Sequence, residues 1–427
     1  GNKMIKLLVI ADDFTGAMDT GVQFNTKGAL IRAVSKGQID PFQEADPDLQ
    51  VLIIDAETRH MEPAQAYQTV YQIVRAAVEA GVSCIYKKTD SGLRGNIGSE
   101  LAALLDASGG SRVHFAPAFP LLGRVTRQGV HYINGCPVAD SVFGKDPFEP
   151  VRSSSVADII AFQSDVPAVS VGTQVPLDLP DGVIIYDSAW DEHLSAIAAQ
   201  LQARGELKLL AGCAGFASAL PDLLGMEGAG PRLPSVPQKL LVVCGSTNPI
   251  TLRQLDEAQR SGALRIQLTP EQKLDENWLA SPEGLRFTAE WISQIKDVSL
   301  AIIEGNQTGE GGATLRCAAR LGMDLEQVRF QISQTMGGVL ERLLSLGLEA
   351  TVLVTGGDTL LAFMQRIGQD KLIPLGELAP GVVLSQIEYC RKKYAILSKS
   401  GGFGSDRLLL DLKDKLSLQE CEEEEVC

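Results

Sequence analysis

Short apolar runs separated by longer stretches of helical periodicity set the pattern of the first half of this chain. Leu7–Ile10, Val51–Ile54, Cys84–Tyr86, Val113–Ala116, Ala168–Val171 and Val183–Tyr186 are runs of strand length. They are apolar throughout rather than alternating, which suits strands buried on both faces, as in a parallel sheet. Between the second and third runs, Pro63–Ala80 places Val70, Ile73, Val74 and Ala77 on one face of a helix. Strands alternating with helices predict βαβ units and a mostly parallel sheet.

The stretch GMEGAGPRLPSVP, residues 225–237, interrupts the alternation with a composition typical of a linker. Strand-length runs then resume at Lys239–Cys244, Arg265–Leu268, Leu300–Glu304 and Thr351–Thr355. The pattern predicts two α/β domains, residues 1–230 and 236–415. The acidic end, residues 416–427, carries LQECEEEEVC and is expected to be a disordered tail.

Composition narrows the partners. The 427 residues carry a net charge of −15, which argues against nucleic acid or an anionic membrane as a partner. No apolar stretch approaches the roughly 20 residues of a membrane span, and no secretion signal is read near the N-terminus. The eight cysteines form no CxxC pair and the four histidines are dispersed, so zinc and redox motifs are absent. A cytoplasmic setting is expected. An anionic small substrate would need a locally basic pocket.

Such pockets are foreshadowed where apolar runs end. Residues 5–19, IKLLVIADDFTGAMD, stop at Asp12 and Asp13. Ligands of open α/β sheets bind beyond the carboxyl ends of strands, so these acids stand where a polar substrate or metal would sit; the plainer alternative is a turn in which Asp caps the next helix. Residues 86–100, YKKTDSGLRGNIGSE, bring Lys87, Lys88, Thr89, Asp90, Ser91 and Arg94 to one strand end. Cations there could pair a carboxylate while Asp and Ser orient hydroxyls. Arg59, after the second run, could clamp a carboxylate bidentately. Residues 115–132 hold Pro117, Pro120 and Gly123 and read as a stiff loop from which Arg124 or Arg127 could face the pocket.

The second domain has a different chemistry. LLVVCGSTN, residues 240–248, runs from a strand into Gly245, Ser246 and Thr247. LVTGGDTLL, residues 353–361, ends a strand in Thr355, Gly356 and Gly357, followed by Asp358 and Thr359 at a helix start. Glycines free the amides there and the helix dipole favours anionic oxygens. ILSKSGGFG, residues 396–404, supplies Gly401, Gly402 and Gly404 beside Lys399. Two such loops point to phosphate or nucleotide binding. No GxxxxGK[ST], no GxGxxG after the first strand and no protein-kinase signature set is present.

Taken together, ADDFTGA at 11–17, KKTDSGLRGN at 87–96, PAFPLLGR at 117–124, GST at 245–247, TGGDT at 355–359 and KSGGFG at 399–404 resemble the four-carbon acid sugar kinase family, formerly a domain of unknown function. The motifs occur in family order along nearly the whole chain. The resemblance implies that the N-terminal domain holds a C4 sugar acid (D-threonate, L-threonate, D-erythronate or a 3-oxo-tetronate), that the C-terminal domain holds ATP, and that the active site is a cleft between them. Gly92 departs from the pattern, since many relatives are expected to carry Thr or Ala there.

The expected site is then Asp12, Arg59, Lys88, Thr89, Asp90, Ser91 and Arg94 for the sugar acid, and Ser246, Thr355, Gly356, Gly357, Asp358, Thr359, Gly401 and Gly402 for ATP. Magnesium is expected because it bridges phosphate oxygens; its protein ligands are not readable from sequence. Asp358 is favoured as the base that takes the hydroxyl proton, with Asp13 and Asp12 as rivals. Two other readings compete: a sensor that binds sugar acid and nucleotide without turnover, and an aldolase or isomerase on similar substrates. The oligomeric state stays open, with a homo-oligomer compatible.

Overall fold

A computed structural model of the chain describes residues 5–37, 40–43, 46–306 and 312–424. It divides into two compact units, residues 1–231 with Ile373–Gly376, and residues 232–372 with 377–427.

In the first unit β1 (Leu7–Ala11) leads into α1 (Phe14–Asn25), β2 (Ile31–Ser35), β3 (Val51–Asp55), α2 (Pro63–Glu79), β4 (Ile85–Lys88), α3 (Ile97–Ser108) and β5 (Arg112–Ala116). A small antiparallel sheet follows, β6 (Arg124–Arg127), β7 (Val130–Ile133) and β8 (Cys136–Pro137), and then α4 (Val156–Ala161), β9 (Ala168–Ser170), β10 (Gly182–Ile185), α5 (Asp191–Ala203), β11 (Leu209–Gly212) and α6 (Ala214–Ala217). The large sheet runs β2-β3-β1-β4-β11-β5-β10-β9, with parallel neighbours. Each residue of β1, β3 and β4 is buried, as the unbroken apolar runs require. Helix α2 turns Ala66, Val70, Val74 and Ala77 to the core at helical spacing.

Strand β1 is followed in sequence by β2 on one side of it, whereas β3 crosses over to β4 on its other side. The order therefore reverses between β1 and β4, and in open α/β sheets ligands bind beyond the carboxyl ends of such a pair. The register puts Ala11 opposite both Asp55 and Lys88, and Lys88 opposite Gly212, so Asp12 and Thr89 leave the sheet side by side.

The second unit repeats this arrangement. Its elements are β12 (Leu240–Cys244), α7 (Pro249–Arg260), β13 (Leu264–Gln267), α8 (Pro270–Leu274), α9 (Pro282–Lys296), β14 (Leu300–Glu304), α10 (Ala313–Arg320), α11 (Leu325–Ser345), β15 (Thr351–Thr355) and α12 (Gly357–Arg366). The parallel order β13-β14-β12-β15 continues into the strand Lys392–Lys399, parallel to β15, and then into its antiparallel hairpin partner Val382–Tyr389. Here the order reverses between β12 and β15. Cys244 lies opposite Thr355 and Thr355 opposite Lys399, so three strand ends are level.

Three expectations change. The 115–132 stretch is a turn at Pro120–Leu122 followed by the β6–β7 hairpin, whose pairing runs from Arg124 opposite Ile133 to Arg127 opposite Val130. Strands β2 and β11 were not anticipated: their runs are short and, in β2, broken by Arg32 and Ser35. The segment expected as a disordered tail belongs to a helix spanning Leu408–Glu424; residues 425–427 lie outside the described part. Leu408, Leu409, Leu412 and Leu416 recur at helical spacing and are buried, which holds that helix against the second unit's core.

Candidate functional site

At the β1–β4 crevice the chain gathers a dense set of buried charges. Asp13 caps α1: its Oδ1 accepts from the Gly16 amide at 2.9 Å and its Oδ2 from the Thr15 hydroxyl at 2.8 Å. The plain capping role and a place in the cluster therefore coincide. Arg59 donates from Nε to Asp12 Oδ2 at 2.9 Å and from Nη2 to Asp12 Oδ1 at 3.2 Å, and Nη2 also lies 3.2 Å from Asp13 and 3.5 Å from Asp90. The fork expected to grip a substrate carboxylate is thus turned onto the chain's own Asp12. Asp12 holds the loop in return, its carbonyl accepting from the Thr58 and Arg59 amides.

Arg94 grips Asp90 with Nε at 2.8 Å and Nη2 at 3.1 Å, and reaches Asp146 with Nη1 at 3.3 Å. The turn between them puts Leu93 at φ 63°, a left-handed conformation that non-glycine residues seldom adopt. Lys88 sits against the start of α1, close enough that a Cβ on Gly16 would stand 2.7 Å from its Nζ. Beside the site, Lys87 and Glu100 form a buried ion pair at 3.2 Å, completed by the Thr58 hydroxyl donating to Glu100 at 2.6 Å.

Burial opposes the charged forms of Asp90, Asp13 and Lys88, and at each the neighbours overcome it. Burial pushes the Asp90 carboxyl up, but Arg94, Arg59 and Lys88 hold it far below the usual carboxylate range. Asp13 is likewise held low against its burial, by Arg59 and Lys88. Burial lowers Lys88, but the field of Asp19, Asp12, Asp13 and Asp90 raises it above an ordinary lysine. Asp55 behaves in the opposite way: burial and the adjacent Glu57 push its carboxyl well up, towards the protonated form.

Gly92 is explained by Phe143. A Cβ at Gly92 would fall 2.5 Å from the buried Phe143 ring. The Ser91 carbonyl accepts from His131 Nε2 at 2.8 Å, and His131 Nδ1 accepts from the Thr126 hydroxyl at 3.0 Å. The hairpin thus buttresses the β4 loop. Among the supports, Asp19, Glu100 and Phe143 escaped sequence reasoning. Asp19 and Glu100 sit in helices where an acid reads as a solvated face, and Phe143 is far from any motif.

In the second unit, Ser246 follows β12, its hydroxyl accepting from the Asn248 amide at 3.2 Å and its carbonyl from Asn306 Nδ2 at 3.0 Å. Asn248 caps α7 through the Ile250 amide. Gly356, at φ 104° and ψ 113°, links β15 to α12 in a conformation reserved for glycine. Asp358 and Thr359 occupy the first turn of α12, whose N-terminal amides face the crevice end of the sheet. A Cβ on Gly245 would stand 2.0 Å from the Thr359 hydroxyl oxygen, and one on Gly401 would stand 2.3 Å from the Ser246 hydroxyl oxygen. The three segments are therefore brought together at backbone contact.

Buried Lys399, a flank in the sequence reading, donates to Thr251 Oγ1 and the Ser400 carbonyl, both at 2.9 Å, and Thr251 donates on to the Gly401 carbonyl at 2.6 Å. Gln254 fixes the Phe403 carbonyl at 2.8 Å. These bonds engage the carbonyls of Ser400, Gly401 and Phe403 and fix the course of the loop. Thr355 and Thr359 keep buried hydroxyl oxygens with no hydrogen-bond partner among the described residues.

The described residues contain no group of three or more His, Cys, Asp or Glu side chains placed to hold a metal ion, and no described helix is long and apolar enough to cross a membrane.

Comparison with known proteins agrees with this division of chemistry. Residues 7–220 match the family model described as a sugar-binding N-terminal domain, and residues 241–409 match that of a nucleotide-binding C-terminal domain. The chain is 31% identical to the D-threonate kinase of Salmonella typhimurium over 95% of this chain and 97% of that protein. It is 26% identical to the D-erythronate kinase of Heliobacterium modesticaldum over 87% of this chain and 89% of that protein. The solved structure of Haemophilus influenzae protein HI1011 shares the fold, with a TM-score of 0.64, 20% identity, and 96% of this chain and 100% of that one covered. A sugar-binding unit carrying ordered charges and a nucleotide-binding unit carrying glycine-freed amides, in a chain related to sugar acid kinases along its length, make this protein a member of the four-carbon acid sugar kinase family.

Proposed function

We propose that the protein transfers the γ-phosphoryl group of ATP to the terminal hydroxyl of a four-carbon sugar acid, with D-threonate as the leading substrate. The choice of acid rests on the 31% identity with a D-threonate kinase along nearly the whole of both chains. The observation that carries the mechanism is the contrast between the two crevices. One presents Lys88, Arg59, Arg94 and Asp90, locked by mutual ion pairs. The other presents backbone amides and small hydroxyls at Ser246, Gly356–Thr359 and Gly401–Gly402.

In this reading Asp12, Arg59, Lys88, Thr89, Asp90, Ser91 and Arg94 form the sugar-acid site. Asp90 and Asp12 are acceptors for substrate hydroxyls, and their arginine partners fix the direction in which they accept. The phosphates of ATP lie on the amides around Gly356, Gly357, Gly401 and Gly402, at the positive end of α12. Thr355 and Ser246 border that surface. Phosphoryl transfer asks chiefly for alignment and charge stabilisation, and mutually braced side chains supply alignment without reorganisation at the moment of reaction.

Magnesium fits the nucleotide end. Mg²⁺ is usually bound by one or two carboxylates with substrate phosphates and water rather than by a full protein cage. The unpartnered hydroxyl oxygens of Thr355 and Thr359 are the protein atoms that would hold it, together with phosphate and water. The ion would neutralise charge on the transferred phosphoryl group.

Asp358 takes the hydroxyl proton as transfer proceeds. Asp13, the rival, spends its oxygens on Thr15, the Gly16 amide and Arg59, and its carboxyl is held low, both of which blunt a base. The relatives named above are kinases, which favours turnover over a sensor or an aldolase.

The test is an ATP-consumption assay across D-threonate, L-threonate, D-erythronate and 3-oxo-tetronates. ADP release that depends on one of these acids supports the reading; ADP release with none of them overturns it.

A further inference from the structure

The second unit carries a cavity of about 750 Å³ that lies apart from the Ser246, Gly356 and Gly401 loops. It opens between the end of α8 and the turn that joins α10 to α11, and its wall includes Leu274, Asn277, Leu321, Met323 and Phe330. A volume of this size falls within the range of small-molecule pockets, about 300–1,000 Å³. Its floor is core: Leu274 is 3% exposed and packs in one cluster with Cys317, Ala318 and Val328. Its walls are not, since Phe330 is 64% exposed and Leu321 54%. An aromatic face open to a concavity suits a planar group that can stack on it.

The polar lining narrows the ligand further. Gln327 Oε1 accepts from the Asp324 amide at 2.9 Å, and Gln331 Nε2 donates to Thr335 Oγ1 at 3.1 Å. These bonds set how the two amides are turned, and both residues line the cavity. Asp275, Glu276, Asp324 and Glu326 add negative charge to the same wall. Carboxylates accept from hydroxyls and repel phosphate. The fitting ligand is therefore planar in one part, hydroxylated in another and free of negative charge at this end.

The cavity adjoins the nucleotide crevice. Lys273, next to Leu274, donates to the Gly305 carbonyl at 2.6 Å. The Gly305 amide donates to the Cys244 carbonyl at 3.1 Å, and Asn306 Nδ2 donates to the Ser246 carbonyl at 3.0 Å. On its other side Gly305 packs on α11, where a Cβ would stand 2.9 Å from Ile332. The end of β14 thus touches the Ser246 loop on one side and, on the other, the two helices that wall the cavity.

We propose that this cavity receives the adenosine portion of ATP, with Phe330 stacking on the base and the acidic wall accepting from the ribose hydroxyls. This rests on the nucleotide reading of the second unit and adds to it the place of the nucleoside. Charge divides the molecule between two surfaces. The polyphosphate goes to the amides near Gly356 and Gly401, and the uncharged nucleoside goes to the carboxylates. Gln327 and Gln331 offer donors and acceptors to the edge of the base.

Calorimetric titration with ADP and with inorganic pyrophosphate, both with magnesium, tests the assignment, because pyrophosphate keeps the phosphates and lacks the nucleoside. The wild-type chain binds ADP more tightly than pyrophosphate. Phe330→Ala weakens ADP by about 5- to 100-fold, the scale of a lost base–aromatic stack, and leaves pyrophosphate where it was. Phe330→Tyr retains most of the ADP affinity. Sugar-acid affinity stays constant in both variants. Photolabelling of the wild-type chain with 8-azido-ADP places the label on peptides containing residues 274–277 or 321–331.

Equal ADP affinity in wild type and Phe330→Ala overturns the assignment. So does an equal loss of ADP and pyrophosphate, which marks Phe330 as merely structural, and so does a wild type with no preference for ADP over pyrophosphate. Label confined to other peptides overturns it as well and leaves the cavity to another occupant. In each of these results the wild type still binds ADP, and the nucleotide reading stands. A wild-type chain that binds neither ADP nor pyrophosphate overturns the nucleotide reading itself.

Discussion

Arg59 holds Asp12 through two parallel bonds, Nε to Oδ2 at 2.9 Å and Nη2 to Oδ1 at 3.2 Å, across the loops that follow β3 and β1. The pair joins two strand ends, and its Nη2 also serves Asp13 and Asp90. Arg59 is therefore a keystone for three carboxylates more than a clamp waiting for substrate.

Arg59→Ala strips Asp12 of its two-bond partner and removes one of the cations that serve Asp13 and Asp90. Removing one partner of a buried ion pair costs about 3–5 kcal/mol, and chemical denaturation reads that loss directly. Sugar-acid affinity falls as well, because Asp12 and Asp90 lose their orientation, whereas ATP affinity stays unchanged. Arg59→Lys recovers part of the stability but little of the sugar-acid affinity, since a point charge cannot reproduce the fork. A variant as stable as wild type would remove Arg59 from this role.

The nucleotide end allows a more local test. A Cβ on Gly245 would stand 2.0 Å from the Thr359 hydroxyl oxygen and 3.2 Å from its Cβ. Gly245→Ala should push α12 away from β12, raising KM for ATP by about 10-fold or more, since misplacement of about 1 Å at a catalytic site costs about 10²-fold. Sugar-acid binding is untouched. Thr359→Ala removes the atom in closest conflict, so the double variant should be more stable than the sum of the single changes predicts, and thermal denaturation of the four-protein cycle measures that coupling. Strict additivity would show that the two segments do not press on each other.

Asp358→Asn separates catalysis from binding. A lost general base costs about 10²–10⁴-fold in rate. The variant should bind sugar acid and ATP in calorimetry while kcat collapses. Asp13→Asn, by contrast, weakens the α1 cap, a loss of about 1 kcal/mol typical of such changes, and lowers stability before it lowers kcat. Near-normal turnover by Asp358→Asn would move the proton acceptor to the N-terminal unit.

What the sequence made legible follows from range. Strand ends are visible because an unbroken apolar run must stop, and the residue after the stop is near a crevice wherever the strand order reverses. Asp12, Lys88, Ser246 and Gly356 were placed at strand ends this way, from neighbours in the chain alone. The reversal itself, between β1 and β4 and between β12 and β15, depends on which strands pair, a contact between distant residues. Glu100 and Asp19 look like exposed helix acids until the fold turns them onto Lys87 and Lys88. Phe143 and Gly92 are 51 positions apart, and only the folded chain shows that one occupies the space the other leaves. The helix at the end of the second unit was hidden by its run of glutamates, although Leu408, Leu412 and Leu416 already had helical spacing.

The hairpin beside the crevice carries a pH signature. His131 donates from Nε2 to the Ser91 carbonyl and accepts at Nδ1 from the Thr126 hydroxyl, which requires the neutral ring. Burial lowers its pKa to about 4, and the nearby Arg124 pushes the same way, whereas an unfolded histidine titrates near 6.5. The unfolded chain therefore binds more protons than the folded one between these values, so stability rises with pH across that window. The contribution is whole above about pH 6.5 and is lost as pH falls towards 4. His131→Gln retains a donor for Ser91 without a titrating ring. Its melting temperature should be lower than wild type at pH 7.5, and its decline from pH 6.5 to 4.5 should be shallower, by up to the slope of one proton. Sugar-acid KM should rise in the variant through the loosened Ser91 carbonyl, with ATP KM constant. Identical slopes for the two proteins would show that His131 does not titrate between the folded and unfolded states in this range.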